Sequence, residues 1–360
     1  MSLANAFVSR RSILKAAAIA PAVAVLGYSG VSAQDQLVVT MVTDTAGLGD
    51  QNFNDLAKRG LDRSVDDFDV KGQVIESRDA AAYVPNLIQA AENSALTIGV
   101  GFLLTEAMVE VAKEYPDAKF QLIDSVAIDP DTSEPVPNVA SVTFKEQEAA
   151  FLAGVAAAMV SASHKIGAVA GMKIPPVVRY AVGYEAGAKS ANPETEVIVA
   201  YADTFDDPAL GKELTLAQYN QGADIAFAIA GKTGVGCFDA AKEKGAGFWV
   251  IAADADQAQL GADFQLCVAA KGIDTAVVTV VQEVVDDEFK GGVLDLGLKE
   301  GGVDLLNPGG HVPNEVMALV DRYKQAIIDG TLVVPADEEQ LAVFKPVAPD
   351  AIGAAATPSS

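Results

Sequence analysis

From residue 37 onward, short apolar runs alternate with longer amphipathic stretches, and this alternation restricts the possible folds more than any other feature of the chain. Strands that alternate with helices build a parallel sheet covered by those helices, because every crossover must return the chain to the same end of the sheet. In a first series, the runs at 37–42, 73–75, 96–100 and 119–123 read as strands, with helical spacing at 53–67, 83–93 and 105–114. The run at 139–142 and an alanine-rich helix at 147–161 lead into a second series. Its strands are at 166–169, 196–200, 224–229 and 248–252, and its helices at 177–191, 208–221 and 236–244. The fold class is therefore α/β, with two doubly wound parallel-sheet lobes. A helical stretch at 271–289 follows the second lobe's last strand at 266–269 and is assigned back to the first lobe. The expected division is 34–142 plus 271–310 for lobe 1 and 143–270 plus 311–345 for lobe 2, followed by a poorly ordered Ala/Pro/Ser tail at 346–360.

The first 33 residues do not belong to this pattern. Arg10 and Arg11 precede an apolar run of small residues at 16–26, which ends at Val31-Ser32-Ala33. That run is too short to span a bilayer, which takes about 20 residues. A paired arginine, a short apolar core and an A-x-A-like site describe a signal peptide of the twin-arginine route, cleaved near Ala33. The mature protein is thus expected in the periplasm or outside the cell. No cysteine lies in the cleavage region, so a released product is expected and not a lipid-anchored one.

Removing residues 1–33 takes away Arg10, Arg11 and Lys15, so the formal charge goes from -24 to about -27. Such a surface repels phosphate backbones, and no basic stripe with interleaved aromatics offsets it, so nucleic acid is excluded as a partner. The two cysteines, Cys237 and Cys267, could form one disulfide in an exported protein, but their spacing leaves pairing open. His164 and His311 lie far in sequence from both cysteines and from any carboxylate cluster with ligand spacing, so no metal site is expected.

The polar residues with chemical potential gather at strand ends, where open α/β sheets present ligand contacts. Asp44, Asp50, Asn52 and Asn54 surround Phe53 in the loop between the first strand and first helix. Asp50 or Asn52 as a helix cap and Phe53 as a core residue would explain one polar group, but not all of them together. Ala230-Gly231-Lys232-Thr233-Gly234 includes the G-K-T of a phosphate loop, yet position 226 is alanine and lies inside a strand, so no long loop is available to wrap phosphates. Asp254 and Asp256 end another apolar strand. Carboxylates two residues apart in a loop usually cap or face water, and neither histidine stands beside a nucleophile in sequence, so no enzyme is expected.

Met41-Val42-Thr43-Asp44 through Phe53-Asn54, Gly171-Met172-Lys173-Ile174-Pro175, Phe205-Asp206-Asp207-Pro208, Ala230-Gly231-Lys232-Thr233-Gly234 and Asp254-Ala255-Asp256-Gln257 resemble, in order, the signatures of the basic membrane protein family. These are substrate-binding proteins of ABC importers, typified by a purine nucleoside receptor. The resemblance runs from residue 37 to about 335. It implies the type I periplasmic binding protein fold, with a nucleoside held between the lobes and passed to an ABC permease, and with neither cofactor nor metal. By the same resemblance Phe53 and Phe205 would stack on the two faces of the base. Asp44, Asn54 and Asp124 would meet its polar edge or the adjoining sugar, while Asp254 and Lys271 would hold the ribose hydroxyls. Two positions depart from the family pattern: Lys232 stands where a glycine is usual, and Gly49 where an acidic residue is frequent. A monomer is expected. The competing readings are an exported nucleoside hydrolase, a receptor for another ligand such as riboflavin or a sugar, and a ligand-sensing module. The hydrolase would need several aspartates around calcium in its first loop, where this chain offers Asp44 and Asp50, six residues apart.

Overall fold

The computed structural model describes residues 36–352, so the expected twin-arginine leader and its expected cleavage site lie outside the described residues. The first sheet contains β1 (Val38–Val42), β2 (Lys71–Ile75), β3 (Leu96–Val100), β4 (Phe120–Ile123), β5 (Val139–Phe144) and β11 (Gly292–Leu296). The second contains β6 (Lys165–Ala170), β7 (Glu196–Tyr201), β8 (Ile225–Ile229), β9 (Trp249–Asp254), β10 (Gln265–Lys271) and β12 (Val303–Leu306). Their orders, β11-β5-β4-β3-β1-β2 and β12-β10-β9-β8-β6-β7, follow one plan. All pairings are parallel except that between β10 and β12.

Covered on both faces by helices, β3, β4 and β8 are buried at every residue, and for that reason they read as unbroken apolar runs. The edge strands β2 and β11 remain largely exposed or half-buried. Helix Glu146–Val160 has almost no polar face, since most of its residues are buried. It packs against helix Pro175–Ala191, and the contact is close because a Cβ on Gly154 would lie 2.1 Å from the Tyr184 carbonyl oxygen. Larger side chains at such a crossing would push the backbones apart.

The chain passes between the sheets three times: from β5 into helix Glu146–Val160, from β10 into helix Ile273–Val285, and from β11 to β12. The last passage corrects the sequence-based boundary. Residues 303–306, expected in lobe 1, extend the second sheet, where Val303–Leu306 pairs antiparallel with Val268 to Lys271. Val303 and Leu305 face inward and bury against that sheet. The tail is a second correction, because its described part, through Ile352, is packed. Val347 exchanges hydrogen bonds with Ser190 and Tyr323, Arg322 donates to the carbonyls of Pro349 and Ile352, and Ile352 is buried. Helix Asn314–Ile328 supplies Arg322 and Tyr323 to these contacts, and helix Pro175–Ala191 supplies Ser190. Cys237 and Cys267 are both free and buried. Burial pushes the Cys237 thiol up to about 12 and the Cys267 thiol higher still.

Candidate functional site

The carboxyl ends of the two sheets meet around a cavity of about 580 Å³, counting the part open to solvent. Asp44, Phe53, Asn54 and Asp124 reach it from the first sheet, and Phe205, Asp254 and Lys271 from the second. All seven residues that the resemblance implies as ligand contacts therefore line one space.

The first wall is built by the loop after β1. Asn52 caps helix Phe53–Phe68 by accepting from the Phe53 N–H. Asp50 accepts backbone N–H bonds from Asn52 (3.1 Å), Asn54 (2.7 Å) and Asp55 (3.1 Å). Both polar residues proposed as caps thus act as such, while half-buried Phe53 also forms part of the cavity wall. The Asn54 side-chain amide donates to Asp44 Oδ1 at 3.0 Å and to Asp50 Oδ2 at 3.2 Å. Its Oδ1 is buried and has no partner among the described residues, which leaves an acceptor beside the cavity. Burial raises the Asp44 carboxyl, and it raises Asp50 to about 6 against the opposing pull of its N–H donors.

In the opposite wall, Phe205 lies over Gly171. A Cβ at that glycine would come within 2.2 Å of the Phe205 ring, so the ring's placement depends on the missing side chain. Lys232 does not line the cavity but pairs with Asp206 on the surface at 2.5 Å. Gly231–Gly234 forms a short 3-10 turn leading directly into helix Val235–Lys244, consistent with the absence of a phosphate-wrapping loop. Asp256 turns aside to accept from the Ala258 N–H and from Gln265.

The floor is a buried charged cluster that spans both sheets. Lys271 Nζ lies 2.9 and 2.7 Å from the two oxygens of Asp124, 3.0 Å from Glu146 Oε1 and 3.8 Å from Asp254 Oδ1. Arg179 pairs with the other oxygen of Glu146, and the Tyr180 hydroxyl donates to Asp254 at 2.8 Å. Burial alone would lower Lys271, but Asp124, Glu146 and Asp254 more than offset it and hold the amine above its ordinary range. Burial lifts Asp124 to about 6, opposed by Lys271. Asp254 also rises through burial, with Lys271 and Tyr180 opposing. Glu146 is likewise buried, but two cations face it, and its carboxyl is held below the ordinary value. The ammonium further lies 5.2 Å from the centre of the Phe53 ring and 5.3 Å from that of Phe144.

Sequence reading passed over Glu146, Arg179 and Tyr180. The available signal was an acid at the start of a helix with no polar face, since a buried carboxylate requires a cation. His164 and His311 stand outside the cavity, bound to Asn192 and to the Gln265 carbonyl. Among the described residues no group of three or more His, Cys, Asp or Glu is arranged to hold a metal.

A family model described as "ABC transporter substrate-binding protein PnrA-like" matches residues 37–338. The chain is 34% identical to the "ABC transporter nucleoside-binding protein BmpA" of Lactococcus lactis subsp. cremoris, over 86% of this chain and 92% of that one. It is 32% identical to "Basic membrane protein B" of Borrelia garinii subsp. bavariensis, over 87% and 92% of the respective chains. A solved ABC transporter solute-binding protein from Aeropyrum pernix K1 superposes with a TM-score of 0.77 at 32% identity, covering 85% of this chain and 95% of that one. Its two mostly parallel sheets and the match along nearly its whole described length show that the chain belongs to the Bmp family of PnrA-like ABC transporter substrate-binding proteins.

Proposed function

We propose that the protein is an extracytoplasmic receptor that binds a nucleoside, a purine nucleoside first among them, between its lobes and delivers it to an ABC permease. The observation that carries this reading is the pairing of wall and floor. Phe53 and Phe205 come from opposite sheets to one cavity, and carboxylates on a buried lysine form its base. Two aromatic faces suit a flat base, and each stacking contact is worth about 1–3 kcal/mol. Asp44 and the free Asn54 Oδ1 suit the polar edge of the base, while Asp124, Asp254 and Lys271 suit a vicinal diol. The name of the Lactococcus relative supports the same ligand class.

Binding without turnover is part of the proposal, as the substrate-binding family to which the chain belongs suggests. Isothermal titration of the mature protein against nucleosides, free bases, ribose and riboflavin tests the ligand. Saturation by a purine nucleoside is expected, and preference for riboflavin or free ribose would overturn it. Chromatography of the same mixtures should show no released base; steady release would indicate a hydrolase. Export by the twin-arginine route predicts that replacing Arg10 and Arg11 by lysine leaves precursor in the cytoplasm.

A further inference from the structure

The three passages between the sheets are tied to one another beside the cavity floor. The Lys145 N–H, on the first, donates to the Leu296 carbonyl at the start of the third (3.0 Å), and the Gly272 N–H, on the second, donates to Gly302 on the third (2.8 Å). The remaining tie is ionic. Glu146 on the first passage meets Lys271 on the second at 3.0 Å, and Lys271 in turn meets Asp124 at the end of β4.

Glu146 has no exposed surface and does not line the cavity. It opens helix Glu146–Val160, where the helix dipole favours a negative charge, and its two oxygens are divided between Arg179 and Lys271. An ammonium has three N–H groups. The ammonium gives its hydrogen bonds to the two Asp124 oxygens and meets Glu146 Oε1 as an ion pair at 3.0 Å, while Asp254 stays 3.8 Å away; its Oδ1 accepts from the Tyr180 hydroxyl, and its Oδ2 is left for a ligand. Without Glu146, the ammonium's nearest alternative is Asp254, and a shift toward it would neutralise that carboxylate in competition with a ligand and loosen the bond to Asp124 in the opposite sheet.

We propose that Glu146 is a positioning residue of the binding site: from the first passage it fixes Lys271 on the second, keeping Asp254 free for the sugar and tying sugar recognition to the approach of the two lobes. The sugar half of this inference rests on the nucleoside reading; the tie between lobes does not.

The test compares wild type, Glu146→Gln and Glu146→Asp. Affinities are measured for a purine nucleoside and for its free base. In parallel, spin labels at Glu110→Cys and Ala217→Cys, both exposed and on different lobes, report the interlobe distance without ligand. The native thiols are fully buried and stay unlabelled. Glu146→Gln should weaken nucleoside binding about 10- to 100-fold and leave the free base nearly unchanged. Glu146→Asp should show the same split at smaller size, which keeps the test valid if the Gln variant fails to fold. The distance distribution should broaden in Glu146→Gln and broaden less in Glu146→Asp. A purely structural role would weaken nucleoside and base together and overturns the proposal, as does an unchanged affinity ratio with unchanged distances. If wild type binds neither ligand, the nucleoside reading falls, and the distances alone decide whether Glu146 ties the lobes.

Discussion

Asp124 and Asp254 are counterparts in two sheets of one plan. Each stands at the carboxyl end of the fourth strand of its sheet, and each has left-handed backbone, with φ of 69° and 62°. Left-handed backbone costs most residues about 1–2 kcal/mol, and asparagine and aspartate tolerate it best. The same conformation turns both carboxylates toward one lysine, so the two half-sites share a single cation.

Charge and backbone can be separated at Asp254. Asp254→Asn keeps the left-handed preference and a hydrogen-bond partner for Tyr180, whereas Asp254→Ala keeps neither. Both should lose nucleoside affinity. In urea unfolding the alanine variant should be less stable than the asparagine variant by about 1–2 kcal/mol. Equal stability would mean that the backbone conformation does not depend on the aspartate.

The aromatic pair predicts a loss confined to binding. Phe53→Ala and Phe205→Ala should each weaken nucleoside binding by about 1–3 kcal/mol, roughly 5- to 150-fold, with little change in the unfolding midpoint. Calorimetric titration of each variant checks this. Wild-type affinity in both would remove the stacking role.

Gly171→Ala should reproduce the Phe205→Ala defect without touching the ring. The added methyl would sit 2.2 Å from the ring carbon, so Phe205 must move out of the wall. A crystal structure of the variant should show that displacement, and ligand titration the matching loss. An undisturbed Phe205 with full affinity would show that the ring position is not set by this glycine.

How much of this was legible in the sequence depended on burial. Central strands such as β3 and β8 bury both faces, so their apolar runs stand out, and boundaries there fell within a residue or two. The strands Gly292–Leu296 and Val303–Leu306 were missed because both are short edge strands, flanked by glycines and partly exposed, and their mixed pattern fits neither period. The seven cavity residues named from the sequence lie at strand ends, in the loops that follow or at helix starts, which motif and resemblance could locate. Glu146, Arg179 and Tyr180 belong to helices whose other residues are mainly core, and only the three-dimensional approach to Lys271 identifies them.

Asp50 yields a pH dependence of known sign. Its carboxyl titrates at about 6 in the folded protein against an ordinary 3.8, because burial disfavours the charged form more than its N–H donors favour it. Between those values the folded state binds more proton than the unfolded state, so this group's contribution to stability is fully present below the unfolded value and is lost as pH rises through about 6. Asp50→Asn removes the titration, and the other groups titrate alike in both proteins. The stability advantage of wild type over Asp50→Asn should therefore grow by roughly 1 kcal/mol from pH 7 to pH 5. Urea midpoints of the two proteins across that range supply the measurement. An advantage that stays constant, or shrinks on acidification, would mean that the donors from Asn52, Asn54 and Asp55 outweigh burial and keep the carboxylate charged.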